Sequence, residues 1–101
     1  MILTDISKEL CKMFDIIQPA AYDEKARKFF KKHPSLISRY KKTLLLLREN
    51  PYHPSLRLHK FSDLYSVSIN MQYRIAIDFV VVNNQIILIN IGDHKEIYGK
   101  E

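Results

Sequence analysis

After Pro54 the apolar residues of this chain change their spacing from about 3.6 to 2, and no other sequence feature constrains the fold as strongly. Upstream of the switch, Tyr22, Ala26, Phe29 and Phe30 recur at i, i+4, i+7 and i+8. That stripe predicts a helix over 19–33, with Pro19 suited to a first helical position. Pro34 interrupts it, Ser35 is placed to cap a second helix, and Ile37, Tyr40, Leu44 and Leu47 predict that helix over 36–49. Asn50-Pro51 stops it. Downstream, Leu56 and Leu58 alternate with Arg57 and His59. Tyr65, Val67 and Ile69 alternate with Ser66, Ser68 and Asn70, and Tyr73, Ile75, Ile77 and Phe79 with Arg74, Ala76 and Asp78. Ser62-Asp63 and Asn83-Asn84 are turn signals, and 85–91 reads as a last, more fully buried strand. The first eighteen residues fit a short helix over 5–11 and a strand over 12–18. The expected architecture is α+β: a helical hairpin packed on a four- to five-stranded, mainly antiparallel twisted sheet.

Composition narrows the class. With 101 residues the chain suits one domain, 1–101, and 47% hydrophobic content suffices for a core. One cysteine, Cys11, cannot close an internal disulfide. The longest uninterrupted apolar runs, such as 44–47 and 79–82, are core-length, so no membrane is expected as a partner. A basic stretch followed by an apolar one is missing at the start, which points to a cytoplasmic location. Both glycines lie near the end, so a glycine-rich phosphate cradle is excluded.

The net charge of +5 is unevenly spread. Residues 23–60 carry eleven basic side chains against three acidic ones, a net of +8, while the flanking stretches are slightly acidic. A segment this basic suits a polyanion, because each neutralised phosphate releases counterions; a solvated helix face would carry the same lysines.

If the apolar parity packs on the helices, Arg57, His59, Ser66, Ser68 and Arg74 share the opposite face of the sheet. Histidine titrates near neutral pH, and the chain has four: His33, His53, His59 and His94. Two imidazoles, the Arg74 guanidinium and the Tyr98 ring form a set able to cleave a phosphodiester. An acid and a base serve the 2′-hydroxyl and the leaving oxygen, a guanidinium meets the phosphorane charge, and an aromatic ring stacks an unpaired base. Each residue also has a plainer reading. His53 can order its loop, His59 can be a solvated strand residue, and His94 can belong to a turn. Arg74 can pair with Asp78, and Tyr98 can anchor the tail. His33 ends a helix and suits its negative pole. Neither His-x-His nor His-Glu-x-x-His spacing occurs, so no metal or other cofactor is expected.

These segments, in their order, resemble the RelE/ParE superfamily of toxins from bacterial and archaeal toxin–antitoxin systems. The likeness runs over about 14–98. It rests on Asn50-Pro51, on Leu56-Arg57-Leu58-His59, on residues 65–70 followed by Tyr73-Arg74-Ile75, and on the ending 91–98. Residues 1–11 extend beyond the family's usual start. The resemblance implies the RelE-like fold and a metal-independent, ribosome-dependent endonuclease that cuts mRNA in the ribosomal A site and is restrained by a cognate antitoxin. The 2′-hydroxyl attacks the adjacent phosphate and leaves a 2′,3′-cyclic phosphate and a 5′-hydroxyl. Arg74 matches the strand arginine on the scissile phosphate, His94 the C-terminal catalytic position, Tyr98 the terminal aromatic, and His53 a catalytic histidine of YafQ-like members. His59 and Lys60, with Arg57 and Ser68 beside them, fall where substrate-binding groups are expected. Ser68 and Gln72 stand where YafQ-like members carry a histidine and an aspartate. Two alternatives stay open: a ParE-like gyrase inhibitor without nuclease activity, and an inactive module that binds RNA or antitoxin.

Overall fold

A computed structural model describes residues 13–80 and 83–99. A short strand β1 (Asp15–Ile17) leads into helix α1 (Ala20–Lys32) and helix α2 (Ile37–Glu49). Four strands come next, β2 (His59–Phe61), β3 (Leu64–Ser68), β4 (Tyr73–Val80) and β5 (Gln85–Asp93), then a five-residue helix α3 (His94–Tyr98). One sheet results, in the order β1-β5-β4-β3-β2, with β1 parallel to β5 and the other neighbours antiparallel. The expected strand over 12–18 is therefore present at its centre, while the expected helix over 5–11 lies outside the described residues.

The helical hairpin covers one face of the sheet. Tyr22, Ala26 and Phe29 of α1 and Leu47 of α2 are buried against Val67, Ile75, Ile77, Ile86, Leu88 and Ile91. Each fully buried Leu or Ile there contributes roughly 1.5–3 kcal/mol relative to exposure. The Tyr22 and Tyr40 hydroxyls meet at 2.7 Å and tie the two helices together. Burial pushes the Tyr22 phenol far above its ordinary value, and the neighbouring Tyr40 adds to the shift. Burial raises the Tyr40 phenol as well. His33 closes α1 as expected, with its ring set between Phe29 at 4.6 Å and Tyr73 at 4.8 Å. Pro19 sits one position before the helix, and Ser35 lies inside a 3-10 turn (Pro34–Leu36), so it does not cap α2.

Two local departures position the other face. The alternation at 56–59 predicts a strand, but His53 and Pro54 start a 3-10 turn over Pro54–Leu56. The His53 imidazole accepts a hydrogen bond from the Ser55 amide at 3.1 Å, and proline fits the first turn. Leu56 enters the core from that turn, and Arg57 takes a left-handed conformation with φ 49°. Only from His59 does the chain pair as a strand. The second departure is a bulge in β5. Ala76 pairs with Asn90 while Ile77 pairs with Leu88, so Ile89 has no partner. The extra residue resets the parity: Ile86, Leu88 and Ile91 all face the core, and Asn90 and Gly92 face away from it.

Candidate active site on the polar face

Register places His59 opposite Ser66, Ser68 opposite Arg74, and Arg74 opposite Gly92. Paired residues point to the same side, so His59, Ser66, Ser68 and Arg74 share the face away from α1 and α2. Helix α3 folds back onto that face. Its start is fixed by a reciprocal cap: the Asp93 carboxylate accepts from the Glu96 amide at 2.9 Å, and the Glu96 carboxylate accepts from the Asp93 amide at 2.8 Å. Both carboxylates are thereby engaged by backbone amides. Gly92 permits the close approach, since a Cβ built there would run into the Glu96 side chain. Asn90 donates to the Glu96 carbonyl at 3.2 Å, and Ile97 is buried. These contacts hold α3 so that His94 and Tyr98, four residues apart, lie on one side of it.

The Tyr98 ring is the hub. Its centroid lies 4.4 Å from that of His94, 4.7 Å from Phe61 and 5.9 Å from His59, each meeting it edge-on. A hollow of about 980 Å³ opens beside these rings, lined by His59, Phe61, Ser62, His94, Lys95 and Tyr98. That volume suits a nucleotide-sized ligand. Beneath the ring, the Tyr98 hydroxyl lies 2.6 Å from Ser66 Oγ, and Arg74 Nε donates to the same oxygen at 2.9 Å. Arg74 Nη2 donates to the Arg57 carbonyl at 2.7 Å and to the Ser66 carbonyl at 3.4 Å. Among the described residues Nη1 has no hydrogen-bond partner. The Arg74–Asp78 pair is not formed; the one ion pair among the described residues joins Arg27 and Asp23 at 3.9 Å.

Of the residues singled out from sequence, His59, His94, Tyr98 and Arg74 come together. Four others stand apart from the hollow. The His53 imidazole is engaged by the amide of its own turn. Lys60 succeeds His59 in β2 and so faces the opposite way, toward a second cavity with Tyr52, Tyr65 and Phe79. Arg57 takes part through its carbonyl, because its turn conformation removes its side chain from the strand alternation. Ser68 shares the face, but its hydroxyl donates to the Asn70 carbonyl at 2.7 Å and it lines a cleft beside α2. Sequence reasoning placed Ser66 on this face without giving it a role, and missed Phe61 and Lys95. The available signal for Ser66 was a small hydroxyl on the polar parity of β3, one pair removed from Arg74. Among the described residues no group of three His, Cys, Asp or Glu side chains could hold a metal.

Comparison with known proteins agrees with the fold. No protein-family model matches the sequence. No curated protein matches it either. Solved structures do match. YafQ from E. coli strain BL21(DE3) superposes with a TM-score of 0.68 at 13% identity, over 85% of this chain and 99% of that one. A chain of the E. coli DinJ–YafQ toxin–antitoxin complex gives 0.66 at 14%, over 85% and 98%. A YoeB/ParE toxin from Agrobacterium tumefaciens gives 0.62 at 8%, over 80% and 99%. The chain therefore has the α+β fold of the YafQ and YoeB/ParE toxins, as its sequence resemblance implied.

Proposed function

We propose that this protein is the toxin of a toxin–antitoxin pair and a ribosome-dependent endonuclease that cuts mRNA in the ribosomal A site. The observation carrying this reading is the convergence of His59, His94 and Tyr98 on one hollow of the polar face, with Arg74 tied to Tyr98 through Ser66. In the proposed reaction one imidazole takes the proton of the 2′-hydroxyl. The 2′-oxygen bonds to phosphorus, the bond from phosphorus to the 5′-oxygen breaks, and that oxygen takes a proton from the other imidazole. Arg74 and Lys95 meet the charge that builds on the phosphate oxygens. The products are a 2′,3′-cyclic phosphate and a 5′-hydroxyl, and the step uses no metal.

The opposite side supplies affinity. Lys25, Arg27, Lys28, Lys31 and Lys32 on α1 and Lys41, Lys42 and Arg48 on α2 are all exposed. Their charge favours ribosomal RNA phosphates during action and an acidic antitoxin segment at rest. The structural likeness to the DinJ–YafQ and YoeB–YefM complexes supports an antitoxin partner. The test is to express the wild type, His94→Ala and Arg74→Ala in cells and map mRNA 5′ ends. Cuts in the wild type that vanish in both variants are expected. Uncut mRNA, or equal cutting by all three, would overturn the reading. Blocked supercoiling with intact mRNA would instead identify a gyrase inhibitor.

A further inference from the structure

We infer that Ser66 is a positioning residue that sets the direction of the Tyr98 hydroxyl, turning its proton outward as a hydrogen-bond donor to a phosphate oxygen in the hollow; this rests on the nuclease reading. Matching each donor to an acceptor decides the direction. Guanidinium can only donate, so Arg74 Nε–H gives its proton to Ser66 Oγ at 2.9 Å. Ser66 is fully buried, with 0% exposure, so no bulk water reaches its own proton. Among the described residues the only other partner of Ser66 Oγ is the Tyr98 oxygen, at 2.6 Å. Were Tyr98 the donor, the serine proton would be buried without an acceptor, at the desolvation penalty of an unmade hydrogen bond, roughly 1–3 kcal/mol. Ser66 is therefore the donor and Tyr98 the acceptor.

The site gains two properties from this direction. The phenolic proton is left without a partner among the described residues, on a side chain that lines the hollow with His59, His94 and Lys95. The chain from Arg74 through Ser66 to Tyr98 begins at a fixed positive charge, and hydrogen bonds in series polarise one another, so Tyr98 becomes a stronger donor. The three surrounding rings hold the phenol in place, and the serine aims its hydroxyl. Arg74, which does not itself line the hollow, acts on a phosphate there through this relay.

The experiment compares Ser66→Ala, Tyr98→Phe and the double variant of the full chain in single-turnover cleavage of mRNA on programmed ribosomes. Ser66→Ala should slow the step about 10- to 100-fold, the worth of one hydrogen bond in a charged network, with unchanged half-saturating concentration. In the Tyr98→Phe background, Ser66→Ala should remove less than about twofold more, because both act through one hydroxyl. Multiplying effects would overturn the inference and leave Ser66 a packing residue. A second readout needs no activity: in ¹⁵N spectra the Arg74 Nε–H resonance should be protected from exchange in wild type and in Tyr98→Phe, and unprotected in Ser66→Ala. Equal protection in Ser66→Ala would refute the relay. A wild type that shows the protected resonance yet leaves mRNA uncut would refute the nuclease reading and spare the hydrogen-bond chain.

Discussion

The two faces of the sheet are built on different principles. The face under α1 and α2 is held by area: aliphatic and aromatic side chains are buried together, and no single direction matters. The face under α3 is held by direction: a capping box, one serine bridging an arginine and a tyrosine, and a few edge-on rings. Adjacent residues of one strand serve both, since Ile75 is wholly buried in the core while Arg74 is half-buried on the other side. Apolar area supplies the stability, so the polar face can keep half-exposed cations and rings. The candidate site lies where packing is sparse, on strands made rigid by the face behind them.

That contrast can be broken by mutation. Leu47→Ala or Ile77→Ala should destabilise the protein most, by about 2–5 kcal/mol in urea unfolding, because each leaves a cavity in the packed face. A loss under about 0.5 kcal/mol would deny that this face carries the stability. His94→Ala should do the reverse. It should slow cleavage about 100- to 10,000-fold, as removal of a general acid or base does, while unfolding shifts by less than about 0.5 kcal/mol at this exposed site. Gly92→Ala should fall between the two. The new methyl group must displace Glu96, and overpacking of this kind costs about 1–3 kcal/mol, with loss of activity as α3 shifts. Retained activity in Gly92→Ala would show that α3 need not dock so closely.

The smallest effect sharpens the contrast by pH. Tyr22 and Tyr40 have folded-state values above the ordinary phenol value of 10.0, chiefly through burial. Their neutral forms are favoured by folding, so the stability they contribute is fully present below about pH 10 and is lost as pH rises beyond it. The melting temperature should fall between about pH 9.5 and 11, and the fall should be shallower in Tyr22→Phe. An equal fall in wild type and Tyr22→Phe would place the alkaline transition elsewhere.

Much of this was legible in the chain. The stripe at Tyr22, Ala26 and Phe29 identified both α1 and its buried side, and the alternation through 65–79 identified β3, β4 and the side on which Arg74 lies. The site was legible in part. His59, Arg74, His94 and Tyr98 carry recognisable chemistry at positions whose parity or tail location pointed to one face. His53 and Lys60 carry the same kinds of chemistry, and the fold directs them elsewhere. A 3-10 turn occupies the first, and the pleat of β2 turns the second away from its neighbour. Ser66 was hidden for the opposite reason: a serine in a strand is ordinary until its two partners are known.

What the sequence determined alone was local: the period of each segment, its turns, and the segregation of positive charge into the helical hairpin. Period and charge depend on residues a few positions apart, so they can be read along the chain. The tertiary structure decided the bulge at Ile89, the docking of α3 over Gly92 and the bond from Ser66 to Tyr98, thirty-two residues apart. Those arise only when distant strands pair and a buried hydroxyl must find its partner, because burial itself is a property of the folded whole.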